Sequence, residues 1–179
     1  MTASPGRHAA AVSVRLAAAV LGTAVAVGAA HAAGAELRDA GGNVVATAEL
    51  RPTGAGVWIR LEATALPAGV HGFHIHETGA CTPPDFTSAG GHFDPAGTEH
   101  GFEVEMGPHA GDMPNLHVPA SGALTVEVVN PMVVLDAGHP RTLLDADGSA
   151  LVIHDGADDY TSQPAGNAGS RIACGVITE

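Results

Sequence analysis

Seven side chains in this sequence have the types and spacing to bind metal: His74, His76, His92, His100, His109, Asp112 and His154. Neutral imidazoles and carboxylates are the donors that hold copper and zinc. His74 and His76 are two residues apart. In a strand, such residues share a face and lie about 6–7 Å apart, so one metal can take both. His92, His100, His109 and Asp112 follow as His-x7-His-x8-His-x2-Asp. Three imidazoles and a carboxylate form a closed tetrahedral set that suits a structural Zn²⁺. His154 ends the apolar run Leu151-Val152-Ile153 and can join His74 and His76 at a site that still needs a fourth ligand. Four imidazoles around a redox metal suit copper better than magnesium or calcium. Seven ligands therefore serve two metals if one ligand is shared.

Other histidine chemistries fail. His76-Glu77 is not followed by the second histidine of a metalloprotease helix. There is no Cys-x-x-Cys for a zinc deaminase and no Gly-x-Ser-x-Gly elbow for a serine hydrolase. By strand parity His71 shares a face with Phe73 and Ile75, so it is expected to be buried, bonded to backbone, and not a ligand. His117 and His139 are left without a role, with solvent-facing or loop positions as the default.

The elements that must position these ligands have a period of two. Residues 57–63 (Val-Trp-Ile-Arg-Leu-Glu-Ala) alternate like a half-buried antiparallel strand, and residues 43–50 and 123–129 look similar. Turn-like clusters at Gly41-Gly42, Pro52-Thr53-Gly54 and Pro119-Ala120-Ser121-Gly122 separate them. No amphipathic helix is evident after residue 33, and residues 33–42 read either as a first strand or as a tail. Many short strands with turn signals predict a sandwich or flattened barrel. Two long segments, 77–114 and 155–171, break the pattern. Loops of this length in a compact domain are usually functional or disordered, and the first carries four of the seven candidate ligands.

Residues 1–32 read as a secretory signal peptide. Arg7 and Arg15 are basic, residues 16–30 are almost wholly apolar, and Ala30-His31-Ala32 is a cleavage site. The mature domain is then 33–179, exported to the periplasm or secreted after cleavage near Ala32, with no stable membrane insertion because the apolar run is too short to span. The chain has 7 Lys+Arg, all of them arginine, against 19 Asp+Glu. Without Arg7 and Arg15 the balance is 5 − 19 = −14, which argues against nucleic acid as a partner. Cys81 and Cys174 are the only cysteines. In an exported protein an even pair reads as a disulfide, closing a loop worth about 4–5 kcal/mol in the chain-entropy model. The rival reading is a cysteine metal ligand.

The chain resembles the copper/zinc superoxide dismutase family, especially its exported bacterial members. The matching segments are Gly72-Phe73-His74-Ile75-His76-Glu77, Ser88-Ala89-Gly90-Gly91-His92-Phe93-Asp94-Pro95, His109-Ala110-Gly111-Asp112, Leu151-Val152-Ile153-His154 with Asp158-Asp159, and Gly169-Ser170-Arg171-Ile172-Ala173-Cys174-Gly175-Val176-Ile177. They fall in family order across nearly all of the mature chain. The resemblance implies an all-β, eight-stranded antiparallel Greek-key barrel, a flattened sandwich with two long functional loops. It implies copper on His74, His76, His92 and His154, zinc on His92, His100, His109 and Asp112, and His92 as the bridging imidazolate. It also implies a Cys81–Cys174 disulfide, an Asp158 carboxylate linking a copper histidine to a zinc histidine, and Arg171 as the anion-docking residue.

The expected activity is dismutation of superoxide to dioxygen and hydrogen peroxide, with superoxide docking on Arg171 and His92 carrying a proton. One departure stands out. Many family members have lysines near the substrate channel, whereas this chain has none, so guidance is expected to rest on the metals and Arg171 alone. The main rival is a non-catalytic exported copper/zinc-binding protein on the same fold; a superoxide-consumption assay on metal-loaded protein separates the two. A copper-only enzyme would lack the zinc ligands and the second loop, and a purely structural envelope protein gives no reason for clustered ligands. Monomer and homodimer are both open.

Overall fold

The computed structural model describes residues 1–3 and 32–179. The expected signal peptide therefore lies almost wholly outside the described residues. Among those described, regular structure is eight strands and one short 3-10 turn: β1 (Ala33–Arg38), β2 (Val44–Thr53), β3 (Gly56–Ala63), the turn at Thr87–Ala89 within the loop after β4 (Gly69–His76), then β5 (Asp112–Val118), β6 (Leu124–Asn130), β7 (Ala150–His154) and β8 (Arg171–Val176). Residues 33–42 thus begin as a strand. No helix among the described residues is long and apolar enough to cross a membrane.

Alternation explains the strands. In β3, Val57, Ile59, Leu61 and Ala63 are buried while Trp58, Arg60 and Glu62 face outward. Leu37, Leu50, Phe73, Ile75, Leu151 and Ile153 meet them in a single core. Fully burying a Leu or Ile side chain contributes roughly 1.5–3 kcal/mol.

All strand pairs are antiparallel, in the order β5-β4-β7-β8-β1-β2-β3-β6. β3 pairs with β6 and β4 with β7, so the chain crosses between the two halves after β3, after β5 and again after β6, a Greek key. The seam between halves is narrow: β1 and β8 pair only at Arg38 and Cys174, with an added bridge from Gly34 to Thr178. At the opposite side β5 and β6 approach without pairing. The barrel is therefore flattened and not closed by hydrogen bonds.

Three long connections leave this frame. The first ends earlier than its composition suggests, because β5 begins at Asp112 despite Pro114. Pro114 faces outward on an edge strand, where its missing N–H is harmless. The second gives way to β8 at Arg171. The third, residues 131–149, mixes turn residues such as Gly138, Pro140 and Asp147-Gly148 with an apolar run that reads like a strand. Its Val133, Leu135 and Leu143 reach into the core, and their apolar character offsets the turn signals.

Candidate metal centre

β4 is buried on both faces from His71 to His76. Phe73 and Ile75 enter the core, while His74 and His76 point the other way, under the loops, with ring centroids 6.5 Å apart. Gly91, Phe93 and Gly111 of the first loop run back along β4 and bond to Ile75 and Glu77, which bridges His92 to His76. Asp112, the first residue of β5, is the register partner of His74. His154 ends β7, and His154 and Arg171 pair across a bulge in the β7–β8 ladder.

The result is two convergent donor sets. Ligand atoms of His74, His76, His92 and His154 lie within 4.8 Å of one another, and so do those of His92, His100, His109 and Asp112. All seven candidate residues are thus brought together, with His92 common to both sets.

The hydrogen bonds select the ring nitrogens. His74 Nε2 faces Asp158 Oδ2 at 2.8 Å, His76 Nδ1 faces the Gly90 carbonyl at 3.0 Å, and His154 Nδ1 faces the Gly169 carbonyl at 3.3 Å. Each of these nitrogens must donate, because its partner is an acceptor. The other nitrogens, His74 Nδ1, His76 Nε2 and His154 Nε2, together with His92 Nε2, are buried and have no hydrogen-bond partner. A buried polar atom left unpaired costs about 1–3 kcal/mol. Four converging lone pairs of this kind are a donor set for a soft-to-borderline ion and fit copper.

The second set fits zinc. His92 Nδ1, His100 Nδ1 and His109 Nδ1 lie 2.8, 3.0 and 3.6 Å from Asp112 Oδ1, and the His92 and His109 Nδ1 atoms are 3.4 Å apart. The edge of a tetrahedron with zinc–nitrogen bonds is about 3.3 Å. Asp112 Oδ2 is occupied by the backbone N–H groups of Gly101 and His109, which leaves Oδ1 for the centre. His100 Nε2 donates to Asp158 Oδ1 at 3.0 Å, so Asp158 joins His74 of one set to His100 of the other.

Electrostatics follow from this packing. Burial pushes His74 down to about 4, His76 to about 2 and His154 to about 3, with mutual repulsion among the rings adding to it for each. These imidazoles are neutral and ready to donate lone pairs. Burial also opposes charge on His100, but its hydrogen bonds to Asp112 and Asp158 outweigh that and lift it to about 9. Burial raises both carboxyls, yet the histidine contacts win and hold them well below the usual range.

A cleft of about 470 Å³ opens onto this centre, lined by His76, His92, His154 and Arg171, with Glu77 and Asp94 among its other walls. Arg171 donates from Nη1 to the Phe86 carbonyl and from Nη2 to the Gly90 carbonyl, both at 2.6 Å. Phe86 sits in the left-handed region, φ 54°, and packs with Ala89 on Val152 and Cys174. The Cys81–Cys174 disulfide anchors the same segment to β8.

His71 bonds to the His154 and Pro67 carbonyls at 2.7 and 3.0 Å and takes no part in either donor set. His117 is exposed, and His139 accepts the backbone N–H of Arg141. Sequence reasoning missed the carbonyls that orient Arg171, and the side chains of Asn115, Tyr160 and Gln163 that hold the second loop. Carbonyls carry no sequence signal, and isolated polar residues give no periodic one.

Fold and site define a Greek-key β-protein with a two-metal, histidine-rich centre. The family model described as copper/zinc superoxide dismutase (SODC) matches residues 40–177. A curated relative, superoxide dismutase [Cu-Zn] 2 of Aquifex aeolicus, is 54% identical over 144 residues, covering 80% of this chain and 84% of its own. Superoxide dismutase [Cu-Zn] of Caulobacter vibrioides is 48% identical over 124 residues, covering 68% and 71%. Among solved structures, a superoxide dismutase-like protein from Bacillus subtilis superposes with a TM-score of 0.78 at 45% identity, covering 80% of this chain and 96% of its own. The chain belongs to the copper/zinc superoxide dismutase family. It is an oxidoreductase that uses copper and zinc and converts superoxide to dioxygen and hydrogen peroxide.

Proposed function

We propose that copper is held by His74 Nδ1, His76 Nε2, His92 Nε2 and His154 Nε2, and zinc by the Nδ1 atoms of His92, His100 and His109 with Asp112 Oδ1. His92, which belongs to both donor sets, would be the ligand the two share. The support is the set of four buried imidazole nitrogens without a partner, which converge beside a tetrahedral three-nitrogen, one-oxygen set. When bound, copper supplies a one-electron couple and zinc a fixed positive charge.

The side chains do the rest. Arg171, held by two carbonyls, presents its remaining N–H groups to the cleft and docks the superoxide anion. His92 Nε2 would hold a proton only when it is not ligating copper and would then give it up to the reduced oxygen, while His92 Nδ1 would stay in the zinc set. Over one cycle two superoxide anions and two protons give one dioxygen and one hydrogen peroxide. Asp158 sets the tautomers of His74 and His100.

The unit that carries this activity is residues 33–179, preceded by a signal peptide of 1–32 that is removed near Ala32. The protein then works in the periplasm or outside the cell, an oxidising setting in keeping with its disulfide. Both donor sets come from one chain, so a monomer and a homodimer would carry the same site. Anomalous diffraction at the copper and zinc edges tests the assignment. One copper peak amid His74, His76, His92 and His154 and one zinc peak amid His92, His100, His109 and Asp112 are expected; both ions on the same side of His92 would overturn it.

A further inference from the structure

We infer that two side-chain amides, those of Asn115 and Gln163, are positioning residues that hold the Asp158–His100 link in place. This rests on the zinc set proposed above. His100 lies in a stretch without regular structure, and its own backbone N–H and carbonyl meet a side chain: the N–H donates to Gln163 Oε1 at 2.9 Å, and Gln163 Nε2 donates to the carbonyl at 2.8 Å. Asp158 is held the same way from β5. Its backbone N–H donates to Asn115 Oδ1 at 2.9 Å, and Asn115 Nδ2 donates to its carbonyl at 2.8 Å. Each amide mimics a strand partner, with one donor and one acceptor fixing the orientation of the whole group.

These clamps sit on the two residues whose side chains meet at 3.0 Å, His100 Nε2 and Asp158 Oδ1. They also connect separate parts of the chain: Asn115 belongs to β5, three residues after Asp112, and Gln163 to the second long loop. Tyr160 closes the circuit, with its hydroxyl accepting the Asn115 backbone N–H at 2.8 Å and its own N–H donating to Asp158 Oδ1 at 2.7 Å. Gln163 is itself exposed, so it fills no core volume; what it offers is the pair of bonds. Without it, His100 loses both backbone anchors at once, and the angle at which Nδ1 faces the other zinc donors is no longer set.

The test compares full-length, metal-loaded wild type with Gln163→Ala and Asn115→Ala, reading zinc retained against a chelator alongside the melting temperatures of metal-free and metal-loaded protein. Loss of an outer partner of a metal ligand typically lowers metal affinity ~10–100-fold, and a zinc-affinity loss of about 10-fold or more is expected. The widened gap between variant and wild type should appear in the metal-loaded melting temperature more than in the metal-free one. Gln163→Glu keeps the acceptor for the His100 N–H and loses the donor, so it should fall between wild type and Gln163→Ala; it also carries the test if the alanine variant does not fold. A purely structural role would lower both melting temperatures alike and leave zinc affinity within about twofold, which overturns the inference. If wild type takes up zinc normally and the variants match it, only the clamps fall. If wild type itself takes up no zinc, the ligand assignment falls with them.

Discussion

His154 and Arg171 are cross-strand partners at the bulge that interrupts the β7–β8 ladder. Ile172 is the extra residue there: Ile153 pairs with Ala173, and His154 with Arg171. A bulge bends a strand and re-aims its side chains. Here it sets a guanidinium beside an imidazole whose free nitrogen faces the centre. Arg171 is then locked by the Phe86 and Gly90 carbonyls, and the second of these also accepts His76 Nδ1–H.

Arg171→Ala should therefore leave copper and zinc content unchanged and lower turnover. A hydrogen bond to a charged group is worth about 1.5–3 kcal/mol, so a fall of ~10–100-fold is expected. Steady-state superoxide consumption by fully metallated variant checks it, and wild-type turnover would remove Arg171 from substrate docking.

Charge around the cleft predicts an unusual salt response. Glu77 and Asp94 share its lining with Arg171, and residues 155–170 carry acids and no base. The wider surface repels an anion, and salt screens that repulsion as much as it screens Arg171. Raising ionic strength should leave kcat/KM nearly flat or increase it. A steep fall with salt would show a guiding positive field that this reading lacks.

Gly166 tests the Asp158 bridge from another side. Its φ is +65°, and an added Cβ would overlap Asp158 Oδ1 and crowd His100 Nε2. Gly166→Ala should push Asp158 off both histidines and weaken metal binding by ~10–100-fold, measured by chelator competition. Unchanged retention in a folded variant would mean that the carboxylate does not orient the ligands.

The metal-free protein should be acid-labile. His74, His76 and His154 have folded-state values near 4, 2 and 3, below about 6.5 in an unfolded chain. Below that pH the unfolded state takes up protons that the folded state refuses, so stability falls as pH drops from about 6.5 toward 4. His100, lifted to about 9, acts in the opposite sense: its contribution is full below about 6.5 and is lost as pH rises through 9. Denaturant midpoints of apo-protein across this range should peak between these limits, and a midpoint that kept rising on acidification below about pH 6 would contradict the buried neutral histidines.

The alternation of β3 and the His-x-His parity of β4 are local patterns, so the residue order alone separates the core face from the ligand face. The spacing of His92, His100, His109 and Asp112 suggests a four-donor set, but only the fold shows that backbone pairing of Gly91, Phe93 and Gly111 with β4 brings it against His74 and His76. Asn115 and Gln163 leave no trace in the sequence because their partners are backbone atoms 43 and 63 residues away. In the connection 131–149, the buried Val133, Leu135 and Leu143 look like strand residues and offset the turn signals at Gly138, Pro140 and Asp147-Gly148.

His92 is the residue on which the two-metal reading turns, since its ring nitrogens enter both donor sets. Native mass spectrometry with a superoxide-consumption assay on the same samples, comparing wild type with His92→Ala, is the most direct measurement. One copper and one zinc per wild-type chain with rapid turnover are expected, and a His92→Ala chain that holds metal weakly and turns over far more slowly. A His92→Ala protein with both metals at full stoichiometry and wild-type turnover would contradict the two-metal reading.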